Sequence, residues 1–548
     1  MKAKSLLLTV FMACLAITSM NAKSVYYVKV DGTGDGTSWN NAAGNIQDMI
    51  DKAVAGDEVW VAAGSYSPSY PTNPDDDRNS SFVMKDGVHL YGSFAGNETN
   101  IDSRSKKDRD GNGTVEAWEF TNETILNASV SMGSGYLGRF KIETQFDGFT
   151  IAATNVINAT GKIIINNCLC DGSIISIDEG TVSNCKITNH SSYSTTGRYV
   201  TTYLRRAGGI DNIAGTVSNC VISNNSMQLN DENNMTCMVY GGGIYNEKGS
   251  VINCIVTGNS CTVNDGSQYQ HSARGGGIYN DGGLVDHCIV ANNSCNATTS
   301  SLGTPAYGQS YYAEGGGIYN SYGTVSNCCI TNNFIYAKTS FSVPVYQRGG
   351  GIYNCGSSLE SYAYIYCSTV VNNSAYNATG TNPTDNIYTG NNGTDFAYNC
   401  ITDNSDMTQF VNSNANDYHL NSGSEYIDAG SLDNLPDWVI NGTDLAGNPR
   451  THNGKISMGA YEYDPLYTGI EELQHQSSIS IFPNPASDFI TVSGLQNNEK
   501  LSIYNINGQQ LFSGKATGET QQIAVGHFPA GIYLLKVDNG QTLKFLKK

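Results

Sequence analysis

The heptapeptide YGGGIYN begins at Tyr240 and returns as RGGGIYN at Arg274, EGGGIYN at Glu314 and RGGGIYN at Arg348, with a weaker copy, RAGGIDN, at Arg206. A catalytic motif is needed once per site, so this repetition constrains architecture before chemistry. The isoleucines behind the glycines, Ile210, Ile244, Ile278, Ile318 and Ile352, are spaced by 34, 34, 40 and 34 residues. Each copy then carries a second apolar run: VSNCVISNN, VINCIVTGN, VDHCIVANN or VSNCCITNN. Its cysteines, Cys220, Cys254, Cys288 and Cys328, keep the same spacing, and Cys168, Cys185, Cys367 and Cys400 extend the column in both directions. Two positions later stands an aliphatic residue: Ile187, Ile222, Val256, Val290 or Ile330. Apolar residues at period two in short β-branched runs predict strands. The glycines ahead of each isoleucine admit a sharp corner.

A unit of this length cannot bury its own apolar face and must stack on its neighbours. Coils then lie one strand spacing apart, about 4.8 Å, with like residue above like. Asn225, Asn259, Asn293, Asn333 and Asn372 form one expected column, and Asn212, Asn246, Asn280, Asn320 and Asn354 another. A stacked Asn can bond the backbone of its own coil and the side chain above it. These residues resemble the right-handed parallel β-helix proteins of the pectate-lyase-like fold, especially bacterial surface proteins with GG[AG]I repeats. The resemblance implies an all-β solenoid over 23–463.

Composition agrees with many tight turns: 60 of 548 residues are glycine and only 14% are charged. A formal charge of −19 repels nucleic acid phosphates and anionic lipid, so neither is an expected partner. Residues 1–22 read MKAKSLLLTVFMACLAITSMNA, with Lys2 and Lys4 before an apolar run and small or polar residues up to Ala22. That pattern predicts a secretory signal peptide. No later stretch is apolar enough to predict a transmembrane segment.

Ile46, Met49, Ile50, Ala53 and Val54 have helical spacing and predict a short N-terminal helix capping the open core. The stretch YHLNSGSEYIDAG…GAYEY resembles the closing segment of β-helix proteins from Bacteroidetes-type bacteria. Residues 464–477 read as a linker. In 478–548, IFPNPASDFITVSG, LSIYNINGQQL and FPAGIYLLKV, with Pro483, Asn484, Pro485, Gly508, Gly531 and Tyr533 in order, resemble the C-terminal sorting domain of the type IX secretion system. Short alternating strands there predict a small β-sandwich. The resemblance implies the type IX secretion machinery as partner, and a secreted or outer-membrane cell-surface location.

DRDGNGTVEAWE, residues 108–119, fits the twelve-residue calcium loop at every defined position. Asp108, Asp110 and Asn112 would supply side-chain oxygens and Thr114 its carbonyl. Glu116 would act through water, Glu119 would bind with both oxygens, and Gly113 makes the turn. Calcium is therefore the expected, structural, cofactor. The cysteine column reads as a core filled by small buried hydrophobes. Cys261 and Cys295 form a second column one coil apart, near enough for a bridge.

Segments of varying length separate the Asn column from the next glycine run and carry Tyr269, Tyr307, Tyr311, Tyr312, Tyr336 and Tyr346. Loops stacked on a rigid scaffold are common binding sites. Tyr269, Tyr312 and Tyr346, with Arg274 and Arg348 from the column before the glycines, are the expected ligand-binding residues. LVDHC at 284–288 resembles a pectate-lyase strand, but its sister coils read TVSNC, so no catalytic role is assigned to Asp286 or His287. The sequence thus favours binding or adhesion, to a glycan or a host surface protein, without catalysis. The alternative is a polysaccharide lyase or glycoside hydrolase acting on acidic glycans. An enzyme requires carboxylates converging with Arg, Lys or His on one face across adjacent coils.

Overall fold

A computed structural model describes residues 23–68, 81–467 and 480–547, apart from short segments within these spans. The expected signal peptide, most of the expected linker, Tyr269, Tyr307, Pro483, Asn484, Pro485 and Gly508 lie outside the described residues. The chain divides into two compact units, the first Met1–Ser413 with Asp417–Tyr467 and the second Thr468–Lys548 with Asn414–Asn416.

The first unit is a right-handed parallel β-helix with three long parallel sheets. Sheet 1 has twelve strands, from Val25–Val28 to Asp395–Tyr398; sheets 2 and 3 have ten each. Early coils are short: Ile142–Asp147 in sheet 1 leads to Thr150–Ala152 in sheet 2, Val156–Ala159 in sheet 3, and back to Gly161–Asn166. Later coils are longer, and the segments expected as protruding loops begin and end in paired strands. After Val221–Ser223 in sheet 2 the chain runs out through Ser226–Asn230 and back through Thr236–Tyr240 before re-entering sheet 3 at Ile244–Glu247. Stacked coil on coil, these excursions build sheets 4 and 5, a wing with its own thin core of Leu229, Cys237, Val239, Val263, Ala273, Ala297 and Ala313. Period-two alternation of small inward residues with Ser, Thr and Asn outward makes SCTVN a strand.

The apolar run after each glycine motif is two strands with a corner between them. In VSNCVISNN, Asn219 takes a left-handed backbone (φ 53°) that turns the chain from sheet 1 to sheet 2. Asn184, Asn253, Asn327 and Asn399 repeat it, and His287 and Cys367 fill the same place. The column reading of Cys367 is thereby corrected. Ser368 occupies the cysteine position, donating to the Tyr366 carbonyl at 2.8 Å as Cys328 Sγ does to Ser326 at 2.9 Å. The first glycine of each triplet is also left-handed (φ 65–72° at Gly241, Gly275, Gly315 and Gly349), and Ala207 adopts the same conformation in the weaker copy. At Gly242 a Cβ would lie 2.3 Å from the Gly276 carbonyl oxygen, so contact between coils demands glycine there.

Both asparagine ladders form. Asn225 donates to Asn259 at 3.0 Å, Asn259 to Asn293 at 3.0 Å and Asn293 to Asn333 at 3.0 Å. The next rung is Asn373, which accepts from Asn333 at 2.9 Å; Asn372 is the left-handed corner residue beside it (φ 58°). In the second ladder Asn212, Asn246, Asn280, Asn320 and Asn354 follow at 2.7–2.8 Å.

Helix α1, Ile46–Lys52, is capped by Asn45 and buries Ile46, Met49 and Ile50 against the end of the core. Ala53 ends it, and Val54, expected on the apolar face, is exposed because it lies past the last turn. The second unit has two antiparallel sheets, of three and four strands, around Ile490, Val492, Leu501, Ile503, Leu535 and Phe545. Among the described residues no helix is long and apolar enough to cross a membrane.

Candidate functional site

Tyr240, Arg274, Glu314 and Arg348 stack in register in sheet 5. They pack on a second stack, Tyr245, Tyr279, Tyr319 and Tyr353, whose ring centroids are 4.9–5.2 Å apart. Glu314, 1% exposed, receives Arg274 at 2.9 Å and Arg348 at 3.5 Å. Burial raises its carboxyl pKa, against the pull of the two guanidinium groups. Arg274 also lies over the rings of Tyr240, Tyr312 and Tyr319, and Arg348 over Tyr346 and Tyr388. Tyr312 and Tyr346 stack at 4.8 Å. They sit within the strands Tyr311–Glu314 and Val345–Arg348, not at loop tips. Charges and ring faces in this column are thus largely engaged with one another.

Residues 108–119 form a compact turn. Oxygens of Asp108, Asp110 and Glu119 lie within 4.8 Å of one another. Asp108 accepts from the backbone of Gly111 (2.6 Å) and Gly113 (2.9 Å), and Glu119 from Arg109 (3.1 Å) and Asp110 (3.3 Å). Asn112 accepts from Thr114 N–H at 2.8 Å and donates to Glu116 at 2.8 Å. One oxygen of Glu116 is buried without a hydrogen-bond partner. Burial and the neighbouring Glu119 push the Glu116 carboxyl up, while hydrogen bonds to Glu119 overcome burial and hold that carboxyl down. Three carboxylates turned to the same point, beside a buried Glu116 oxygen without a partner, suit a hard divalent cation with oxygen ligands.

A third site was not foreseen. On the outer face of sheet 1, over the early coils, a groove of about 650 Å³ is lined by Lys23, Tyr27, Glu58, Trp60, Tyr91, Asn100, Asp102, Arg104, Gln145, Asp147 and Asn166. Arg104 meets Asp147 at 2.7 Å, and the other oxygen of Asp147 accepts from Asn166 and Asn167, each at 2.9 Å. Glu58 accepts from Trp60 Nε1 at 2.9 Å and contacts the exposed Lys23 ammonium. Tyr91 donates to Gln145 at 3.0 Å, and burial with Glu58 and Asp147 nearby pushes its phenol up, so it keeps its proton. Trp60 stacks on Phe94 at 4.7 Å, fixing the floor. The sequence signal was available: outward positions of sheet 1 read Glu58, Trp60, Tyr91, Gln145 and Asp147 here, but Thr181, Ser183, Thr216 and Ser218 in later coils.

Asp286 and His287 are tied into the scaffold. Nδ1 of His287 meets Asp286 at 2.8 Å, Nε2 meets the Thr443 carbonyl at 2.9 Å, and Asp286 also holds Ser326 and Asn327.

Residues 480–548 match the family of secretion system C-terminal sorting domains. The chain is 38% identical over 74 residues to an endo-acting ulvan lyase of Formosa agariphila, covering 13% of this chain and 14% of that enzyme. This chain therefore spans about a seventh of the length of that curated relative. Among solved structures it resembles pectate lyase Pel9A (11% identity, 81% of this chain and 98% of that one, TM-score 0.36). It also resembles a rhamnogalacturonan lyase (12% identity, 71% and 90%, TM-score 0.29). At these values the structural likeness carries no inference about chemistry. The protein is thus a right-handed parallel β-helix bearing a type IX sorting domain. That tail directs it to the cell surface or the medium.

Proposed function

We propose that this exported β-helix is a polysaccharide-degrading enzyme, a lyase or hydrolase, that takes an acidic glycan into the groove on sheet 1. One observation carries the reading. Glu58, Asp102 and Asp147 converge there with Lys23 and Arg104, from adjacent coils and the segment beside them, around Trp60 and Tyr91. That convergence on one face across adjacent coils is what an enzyme needs, and it lines an open groove, whereas the charges of the wing column lie among stacked tyrosine rings. Lys23 on the exposed rim suits the carboxylate of a uronic acid, Gln145 and Asn166 its hydroxyls, and the Tyr91 phenol, protonated and held by Gln145, would have to turn from that partner to donate to an oxygen of the glycosidic link. The relative named as an ulvan lyase is compatible with this reading, although a match of that length says nothing of the groove.

Calcium belongs to the same proposal. Asp108, Asp110, Asn112, Thr114, Glu116 and Glu119 would hold one ion, which would neutralise the acidic turn and order it beside Lys186, 3.5 Å from Asp110. Non-catalytic glycan binding is the second reading, favoured by the mutual neutralisation of Arg104 and Asp147, which takes both out of proton transfer. Incubating the full chain with ulvan, pectate and other acidic glycans separates the two. A lyase yields unsaturated uronate ends and a hydrolase new reducing ends without unsaturation, whereas retention with neither product is binding alone.

A further inference from the structure

Cys261 and Cys295 stand directly above one another in sheet 4, in the strands Ser260–Asn264 and Ser294–Thr298. Their Sγ atoms are 2.9 Å apart, and both side chains are fully buried in the wing core. That separation lies well inside the ~3.5–4.0 Å at which even carbon atoms pack. Strand spacing sets paired Cα atoms about 4.8 Å apart, within the ~4.4–6.8 Å that a disulfide spans. The cysteines of the body are different. Cys185, Cys220, Cys254, Cys288 and Cys328 each turn Sγ to the carbonyl two residues earlier, at 2.9–3.2 Å, and behave as small core residues. The wing core around the pair is built largely from Ala and Val, which bury little area each, so a covalent tie between coils adds most where packing adds least.

We propose that Cys261 and Cys295 form a disulfide after export, joining two consecutive coils of the wing. The thiolate of one attacks a sulfur of an oxidising disulfide carried by a periplasmic thiol–disulfide oxidoreductase, giving a mixed disulfide. The second thiolate then displaces the oxidant's sulfur. The two thiol protons, exchanged through solvent, and two electrons pass to the oxidant, which leaves as a dithiol. In the folded wing both sulfurs are sealed, and burial pushes the Cys295 thiol well up. Exchange therefore takes place on the folding chain, and the finished bond is shielded from reductant. This inference does not depend on the glycan reading.

The test is a thiol count on full chain recovered from the surface or medium of its native host. After acid quenching, denaturation and alkylation, the mass should show two fewer modified sites than the fourteen cysteines beyond the leader. Reduction after denaturation should restore all fourteen, while reductant applied to the folded protein should not change the count. Peptide mapping should join Cys261 to Cys295. Alkylation of all fourteen thiols, or a bridge using Cys237 of the same core, overturns the proposal. In C261S the thiol of Cys295 should become alkylatable, and the reverse in C295S. If either variant fails to fold, the count on the unmodified chain still decides.

Discussion

The Arg104 guanidinium and the Asp147 carboxylate, 43 residues apart in sequence, meet at 2.7 Å with both side chains almost sealed from water. Arg104 also donates to the carbonyls of Gly92 and Ile101, each at 2.9 Å, so one side chain ties the segment over the groove to two coils beneath it. Arg104→Ala leaves Asp147 buried without its cation. By the usual cost of breaking a buried pair, the solenoid should lose about 3–5 kcal/mol in urea unfolding. Lys23→Ala, which takes a solvent-exposed cation from the buried Glu58 carboxylate, should cost less, about 1 kcal/mol.

The calcium turn makes a prediction about protons. The carboxyl of Glu116 is held above its ordinary range by burial and by Glu119. A raised acid is stabilising below its unfolded pKa, and that contribution disappears as pH rises through the folded pKa. Without calcium the Glu116 contribution should therefore fade as pH climbs past the usual carboxylate range, while that of Glu119, held low, is lost as pH falls. A bound cation competes with the proton on Glu116, so calcium affinity should rise over that same window. Calorimetry in buffers of different ionisation enthalpy should detect proton release on binding, and Asp108→Ala with Glu119→Ala should abolish the heat.

Asn259 accepts from both the backbone N–H and the side-chain amide of Asn225, at 3.0 Å each. Asn259→Ala strands both donors in a buried ladder. It should cost about 1–3 kcal/mol per orphaned group, read as a lowered midpoint for the solenoid in denaturant unfolding. Gly242→Ala should be worse, since its new carbon would meet backbone on two sides.

Removal of residues 480–548 should strand the chain in the periplasm of its native host, because that segment is the sorting domain. Fractionation with an antibody to the solenoid checks this. Surface display of the shortened chain would mean that another segment carries the address.

How far the sequence could be read follows from where its regularity lies. Ile244, Ile278 and Ile318 repeat with the coil, so solenoid, ladders and glycine corners were all legible. The doublet Asn372–Asn373 was not, since either residue fits a column and only backbone sign separates corner from rung. Ser368 hid a core position because a hydroxyl replaced the thiol. The wing escaped because its strands face outward with Ser, Thr and Asn, which read as loop. The groove escaped for another reason: Glu58, Trp60, Tyr91, Arg104 and Asp147 come from early coils that repeat poorly, and only stacking brings them together.

The most direct measurement compares two variants of the full chain on an acidic glycan that the wild type retains or cleaves. One is Lys23→Ala with Gln145→Ala in the groove, the other Tyr312→Ala with Tyr346→Ala in the wing. The predicted result is at least a tenfold loss of retention and turnover in the groove variant (roughly 1.4 kcal/mol), with the folded state retained at the assay temperature, and near wild-type behaviour in the wing variant. Retention and turnover that survive in the groove variant and vanish in the wing variant would contradict the account.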